Sequence, residues 1–241
     1  MKPIPILTYH QIGEAPPKGS FMRSLHVSAA SFARHMRWLR RLGYQGLSMS
    51  ALMPYLRGER TGRVVGITFD DGYRNNLELA LPVLQHHGFS ATCYVVSGLM
   101  GQTNAWDEPH GVVPAPLMTA SEVRTWADQG MEVGSHTVQH ADLPRVAAEV
   151  ARAEIHDSRR ALEDVLGRAV TQFCYPYGHF DPLHAEMVRD AGYQAATTTQ
   201  RGRCHAQADC WTLPRVPVVR STSVPQFLLK VLTSYEDRRS A

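Results

Sequence analysis

The chain has 241 residues, 44% of them hydrophobic and 20% charged, with a net charge of +3. That balance excludes disorder, collagen and a coiled coil, and the charge is too small and too dispersed to argue for nucleic acid. No apolar run approaches the roughly 18 residues of a membrane span.

In chain order, residues 4–9 form a short apolar run, the first expected strand. A helix follows, with Phe32, Met36 and Leu39 at helical spacing, Ser28 or Ser31 as its cap and Gly43 as its stop. A second short helix is expected from Ser50 to Arg57, and a strand over 63–69 that ends at Asp70-Asp71-Gly72. The segment LELALPVLQHHGF predicts a helix closing at Gly88, and residues 91–96 the next strand. From Gly98 to Pro116 the chain is rich in Gly and Pro without a period, and reads as a loop. Thr119 or Ser121 caps a helix that ends at Gly130, followed by a strand over 131–136. Residues 144–167 carry the longest helical period. Then QFCYPYG, PLHAEMVRDAG and YQAATTT read as strand, helix and strand, and TLPRVPVV and VPQFLLKVLTSY as the last strand and helix.

About seven short strands, most followed by a helix, predict an α/β fold with a parallel sheet and outer helices. No composition break marks a second domain, so residues 1–241 are read as one. The first apolar stretch is interrupted by Pro3 and Pro5 and stops at His10. It has neither the apolar core nor the cleavage site of a secretory signal, so a cytoplasmic protein is expected, or one whose signal has been removed. Cys93 and Cys174 lie in apolar runs and read as buried free thiols. Cys204 and Cys210 flank His205 in a spacing that fits no strong zinc pattern, though a disulfide or metal clip is conceivable.

Polar clusters end several of the apolar runs, where loops after parallel strands carry chemistry. In ITFDDG, two adjacent carboxylates close a strand. Burying both is costly unless a cation takes one of them, leaving the other as a base; a helix N-cap with a spare acid is the alternative. In SHTVQH, His136 and His140 follow a strand. Two imidazoles and a carboxylate make a three-ligand set with open positions, whereas solvated loop histidines are the plain reading. FCYPYG runs into a turn in which Pro176 fixes φ and Gly178 permits unusual angles. It is an ordinary turn, or an aromatic wall whose backbone N–H holds an oxyanion.

The set TFDDG, SHxxxH and YPYG, in this order, resembles the polysaccharide deacetylase family, carbohydrate esterase family four with its NodB-homology domain, over about residues 4–220. The resemblance implies a distorted (β/α) barrel and a divalent metal, zinc first, with nickel, cobalt, iron or manganese as alternatives. It implies hydrolysis of the N-acetyl group of amino sugars by metal-bound water. Asp70 would be the general base, and Asp71, His136 and His140 the metal ligands. Tyr175, Pro176 and Tyr177 would contact substrate.

Two positions depart from the family pattern. The third motif usually begins with an Arg that orients the base, and here that position is Cys174. The late motif that supplies an acid histidine is missing, since VPQFLLKVLTSY has no His. ILTYH at the N-terminus is similar to the permuted branch that acts on poly-N-acetylglucosamine, which makes His10 the general acid. LPRVPV resembles a late motif of that branch. Arg215, grouped with the substrate-binding residues, then replaces the missing Arg, or is a surface arginine at a strand end. The partner expected is an N-acetylated glycan; the oligomeric state is left open. A lipid-linked sugar, an O-acetyl ester of xylan and peptidoglycan are alternative substrates. A non-catalytic carbohydrate-binding relative and an iron oxygenase are alternative classes. His179 and Trp106 are candidates for the cleft, Trp106 more plainly a packed anchor.

Overall fold

The computed structural model describes residues 2–205 and 208–239. Its ten strands are β1 (Ile6–Tyr9), β2 (Gln11–Ile12), β3 (His26–Val27), β4 (Gln45–Leu47), β5 (Val64–Phe69), β6 (Thr92–Val95), β7 (Glu132–Ser135), β8 (Gln172–Cys174), β9 (Ala195–Arg201) and β10 (Leu213–Pro217). The seven helices are α1 (Ala29–Arg41), α2 (Met49–Leu56), α3 (Leu81–His87), α4 (Ala120–Asp128), α5 (Ala148–Leu166), α6 (Pro182–Asp190) and α7 (Val224–Leu232).

Seven strands close into an all-parallel barrel in the order β1-β10-β9-β8-β7-β6-β5, and β5 returns to β1 through the register Ile6↔Gly66 to Tyr9↔Phe69. They are the seven strands expected from the sequence, and the helices lie outside. Two pieces of sheet escape the sequence reading. β4 pairs with the first half of β5, whose last two residues pair with β6 on the same edge. Three residues with a central Gly46 carry little strand signal. The glycine is there because a Cβ would come within 2.7 Å of Ile67 and Phe89. β2 and β3, two residues each, form a separate parallel pair beyond the barrel mouth.

Strand alternation divides each stave into an inner and an outer series. Leu7, Tyr9, Val65, Ile67, Phe69, Cys93, Val95, Phe173 and Val216 pack in one buried cluster with α1, α3, α4 and α5. Fully burying an aromatic or branched side chain there contributes about 1.5–3 kcal/mol. The alternate positions Ile6, Val64, Tyr94, Cys174, Ala195 and Leu213 pack inside the barrel with Met49, Leu52 and Met53 of α2, which closes its lower end. Continuing upward, the inner series turns polar: Thr8 and His10, Thr68 and Asp70, then Arg215. The barrel's interior is therefore apolar below and charged at the C-terminal mouth.

Helix ends follow local chemistry. Ser28 caps α1 by accepting from Ser31 N, and Thr119 and Glu122 form a reciprocal capping box on α4. The single helix expected over LELALPVLQHHGF is divided into a π turn, Asn76–Ala80, and α3. Pro82 has no N–H to close a bond to Glu78, and its ring crowds that carbonyl, so the ladder slips. The longest helix begins at Ala148 rather than 144, because Leu143–Arg145 with Pro144 forms a short 3₁₀ turn. The 98–116 loop contains the 3₁₀ turn Ala105–His110. Cys93 and Cys174 are buried free thiols as expected. The conceivable disulfide does not form: Cys204 and Cys210 are also free, Cys204 being buried against Ile4 through paired backbone bonds. Residues 206 and 207 of that loop lie outside the described residues. Among the described residues no helix is long and apolar enough to cross a membrane.

Candidate active site

The barrel's topology brings β1 and β5 together, and with them His10 and the Asp pair, although about 60 residues separate them in the chain. Asp70 N donates to Tyr9 O at 3.0 Å, extending that ladder by one step. Asp71 and Gly72 then adopt left-handed φ of 76° and 81°, turning the chain sharply so that the two carboxylates part. Outside glycine, left-handed φ occurs at Met22, Asp71, Thr137, His140 and Tyr177 among the described residues. Each lies on or next to the cleft described below, and such backbone strain concentrates at functional sites.

Asp70 is 2% exposed. Arg215 Nη1 and Nη2 donate to its two oxygens at 2.6 and 2.7 Å, a bidentate pair. Arg215 also donates to Thr198 O at 2.8 Å and Thr68 Oγ1 at 3.1 Å. Cys174 Sγ lies 3.3 Å from its Nη2, so the guanidinium from β10 reaches the end of β8, where the small cysteine leaves it room. Arg215 is therefore buried beside Asp70 and is not a surface arginine, though it still borders the cleft described below. Burial pushes the Asp70 carboxyl up, but the charge and hydrogen bonds of Arg215 outweigh it and hold the group below its ordinary value. Thr8 Oγ1 donates to Asp70 Oδ2 at 3.4 Å, and His10 Nε2 stands 3.8 Å from the same oxygen.

On the other side of the turn, His136 Nε2 and His140 Nε2 each lie 3.4 Å from Asp71 Oδ1. The two rings are 4.8 Å apart and all three residues are buried. Left-handed φ at Thr137 and His140 forms the turn that brings the imidazoles together. His136 Nδ1 donates to Cys174 O at 2.8 Å. A carbonyl accepts only, so the neutral ring aims the Nε2 lone pair at Asp71. Acceptors then converge on one point and repel unless a cation or a proton lies between them. Without an ion, burial lowers the His136 ring, but its neighbours at Cys174 and Asp71 outweigh burial and hold it well above the ordinary range. Burial lowers His140, and Asp71 is held well below its ordinary value, its burial overcome by hydrogen bonds to both rings. One carboxylate and two imidazoles with ligand atoms all within 4.8 Å are a donor set that fits a divalent metal. The carbonyl on His136 Nδ1 is the outer support such ligands use. His140 Nδ1 has no partner among the described residues, and that ring is held by the stacked Trp106 at 4.5 Å and the edge-on Tyr177 at 4.6 Å.

These groups line one cleft of about 610 Å³. Of the three aromatic-turn residues, Tyr175 and Pro176 are buried. The Tyr175 hydroxyl donates to Trp211 O and its ring stacks on Phe180, so it supports the turn. Tyr177, half-buried, faces the cleft, and Tyr175 lines it as well. His179 does line the cleft, hydrogen-bonded through Nδ1 to Asp142 at 3.1 Å. The sequence reading missed Phe21 and Met22, which form part of the wall from the 13–25 loop, and Asp107, a buried carboxylate beside Trp106. No motif or period in the sequence marks them.

The family model described as polysaccharide deacetylase matches residues 57–196. YxkH of Bacillus subtilis strain 168, named for the same family, is 29% identical over 217 residues, covering 89% of this chain and 71% of its own length. A poly-β-1,6-N-acetyl-D-glucosamine N-deacetylase of Staphylococcus epidermidis is 21% identical, covering 97% of this chain and 84% of its own. The Streptococcus pyogenes deacetylase PplD, solved in complex with acetate, superposes with a TM-score of 0.84 at 25% identity, covering 96% of this chain and 99% of its own.

Proposed function

The chain belongs to the polysaccharide deacetylase family, a family of hydrolases, and on that premise we propose that it removes N-acetyl groups from amino sugars of a glycan. Asp70 is the general base, His10 the general acid, and Asp71, His136 and His140 hold a divalent ion, zinc foremost. The observation that carries this reading is the division of labour in the Asp pair: Asp70 is held by Arg215, Asp71 by the two histidines. Acetate in the structural relative is the other product such a reaction would leave.

When bound, the ion supplies Lewis acidity, which lowers the pKa of a coordinated water and polarises an acetamide carbonyl. Arg215 favours the ionised form of Asp70 and fixes both its oxygens, so the base is ready at neutral pH. Asp70 takes the proton of the attacking water. The Tyr177 backbone N–H supports the oxyanion, a contribution of about 3 kcal/mol for a well-placed donor. His10 protonates the departing amine, an effect of about 10²- to 10⁴-fold. Tyr177 and Trp106 border the space left for the sugar.

The direct test is acetate release by metal-loaded protein from N-acetylglucosamine oligomers, peptidoglycan fragments and O-acetylated xylan. Release from the N-acetylated glycans is expected; release from the xylan ester alone would replace the amidase reading with an esterase one. Asp70→Asn should retain the ion and lose turnover. If it lost the ion as completely as Asp71→Ala, the two roles would be exchanged.

His10→Ala should slow acetamide hydrolysis about 100-fold or more with ion content unchanged, because an amide anion is a very poor leaving group. Nitrophenyl acetate, whose leaving group needs no proton, should lose much less. Equal losses on both substrates would mean that the proton comes from elsewhere.

A further inference from the structure

His10 occupies the place where the chain leaves the barrel, after the last β1 residue and before the first of β2. It has no ladder position of its own. Its side chain is 22% exposed and stands 3.8 Å from Asp70 Oδ2, too far for a hydrogen bond to hold the ring. Where the imidazole points is therefore decided by the backbone that carries it.

That backbone is held from one short segment. Asn76 Nδ2 donates to the His10 carbonyl at 2.8 Å. The neighbouring Asn75 accepts from Ile12 N at 3.3 Å through Oδ1 and donates to Gln11 Oε1 at 3.0 Å through Nδ2. Asn76 is fully buried, and its Oδ1 has no partner among the described residues. A leucine of similar size would fill the same space without that unpaired acceptor, so what the amide adds is the N–H it gives to His10. Asn76 also opens the π turn, five residues after Asp71. Local π turns recur at functional sites.

We infer that Asn76 is a positioning residue for His10, tying the proton donor to the same segment that carries the base and a metal ligand. The inference rests on the role of His10 proposed above. Its effect is one of registration: displacing a reacting group by about 1 Å can cost 10²-fold in rate.

The experiment compares Asn76→Leu, His10→Ala and wild type on an N-acetyl sugar and on nitrophenyl acetate, with metal content measured for each. For Asn76→Leu, kcat on the acetamide should fall about tenfold or more with KM and metal unchanged, and the ester rate should be nearly retained. A merely structural role would lower both rates together, and that outcome, or an unchanged acetamide rate beside a slow His10→Ala, overturns the inference. Should His10→Ala itself spare the acetamide, the acid assignment fails by itself. The crystal structure of Asn76→Leu then decides the positioning: a ring displaced from Asp70 upholds it, and a ring in its original place overturns it. If the leucine variant does not fold, Asn76→Ser serves in both measurements, since its shorter hydroxyl cannot span to the carbonyl.

Discussion

Asp71→Ala, His136→Ala and His140→Ala should each bring the metal content of the purified protein to background and reduce acetate release to that of chelator-treated wild type. The expectation follows from the count of ligands. One carboxylate and two imidazoles, with ligand atoms within 4.8 Å of one another, are the smallest set that leaves open positions and still holds an ion tightly. Removing any one leaves two donors and a cavity. The two histidine variants differ in a second respect. His136 is anchored by the Cys174 carbonyl, whereas His140 depends on the Trp106 and Tyr177 rings. His140→Ala therefore removes a packing partner of Tyr177 as well as a ligand. Elemental analysis and isothermal titration with zinc would measure the loss, and full occupancy in all three variants would overturn the assignment.

Arg215→Met should destabilise the fold by about 3–5 kcal/mol at neutral pH, because it leaves a buried carboxylate without its partner. The sign of its pH dependence follows from Asp70. In the wild type the folded carboxyl lies below its ordinary value. It thus contributes stability that is present above about pH 4 and is lost as the pH falls through the folded value. Without the guanidinium the raising effect of burial, the largest single cause, is opposed only by the smaller pulls of His10 and His136 and by the Thr8 hydroxyl. Its folded value then exceeds the unfolded one, and the ionised carboxyl opposes folding until it is protonated. The stability gap between wild type and variant should accordingly narrow as the pH falls through about 4. Asp70→Asn combined with Arg215→Met should be less destabilised than Arg215→Met alone. Urea unfolding of the three proteins at several pH values measures both effects; a gap that stays constant down to acid pH would mean that Arg215 stabilises by packing rather than by its pairing with Asp70.

The elements that carry the site are legible in the chain because their causes are local. ITFDDG is an apolar strand that stops at a Gly, and TASEVRTWADQG offers Thr119 or Ser121 as its cap, of which Thr119 forms it. The alternation of β5 puts Thr68 and Asp70 on one face whatever surrounds them. The pair His136 and His140 could be identified, but not the left-handed turn that joins their rings, since nothing in SHTVQH demands positive φ at Thr137 or His140. The division at Pro82 was open to the same local reasoning, the missing N–H being a property of the residue itself.

Arg215 marks the limit of that reasoning. Whether it lies on the surface or under the base depends on β10 standing beside β1 and β9 and on an empty place at Cys174. Those partners lie between 17 and 147 residues away in the chain. The same holds for His10, Asn76 and the cleft wall at Phe21: each acts through a neighbour that only barrel closure supplies. The sequence by itself determined the staves and the types of ligand available, because strand propensity and turn chemistry act over a few residues. Only the tertiary structure decided which carboxylate the guanidinium holds and which the imidazoles share. That choice arises from the register of parallel strands around a closed ring, to which every stave contributes and which no single segment encodes.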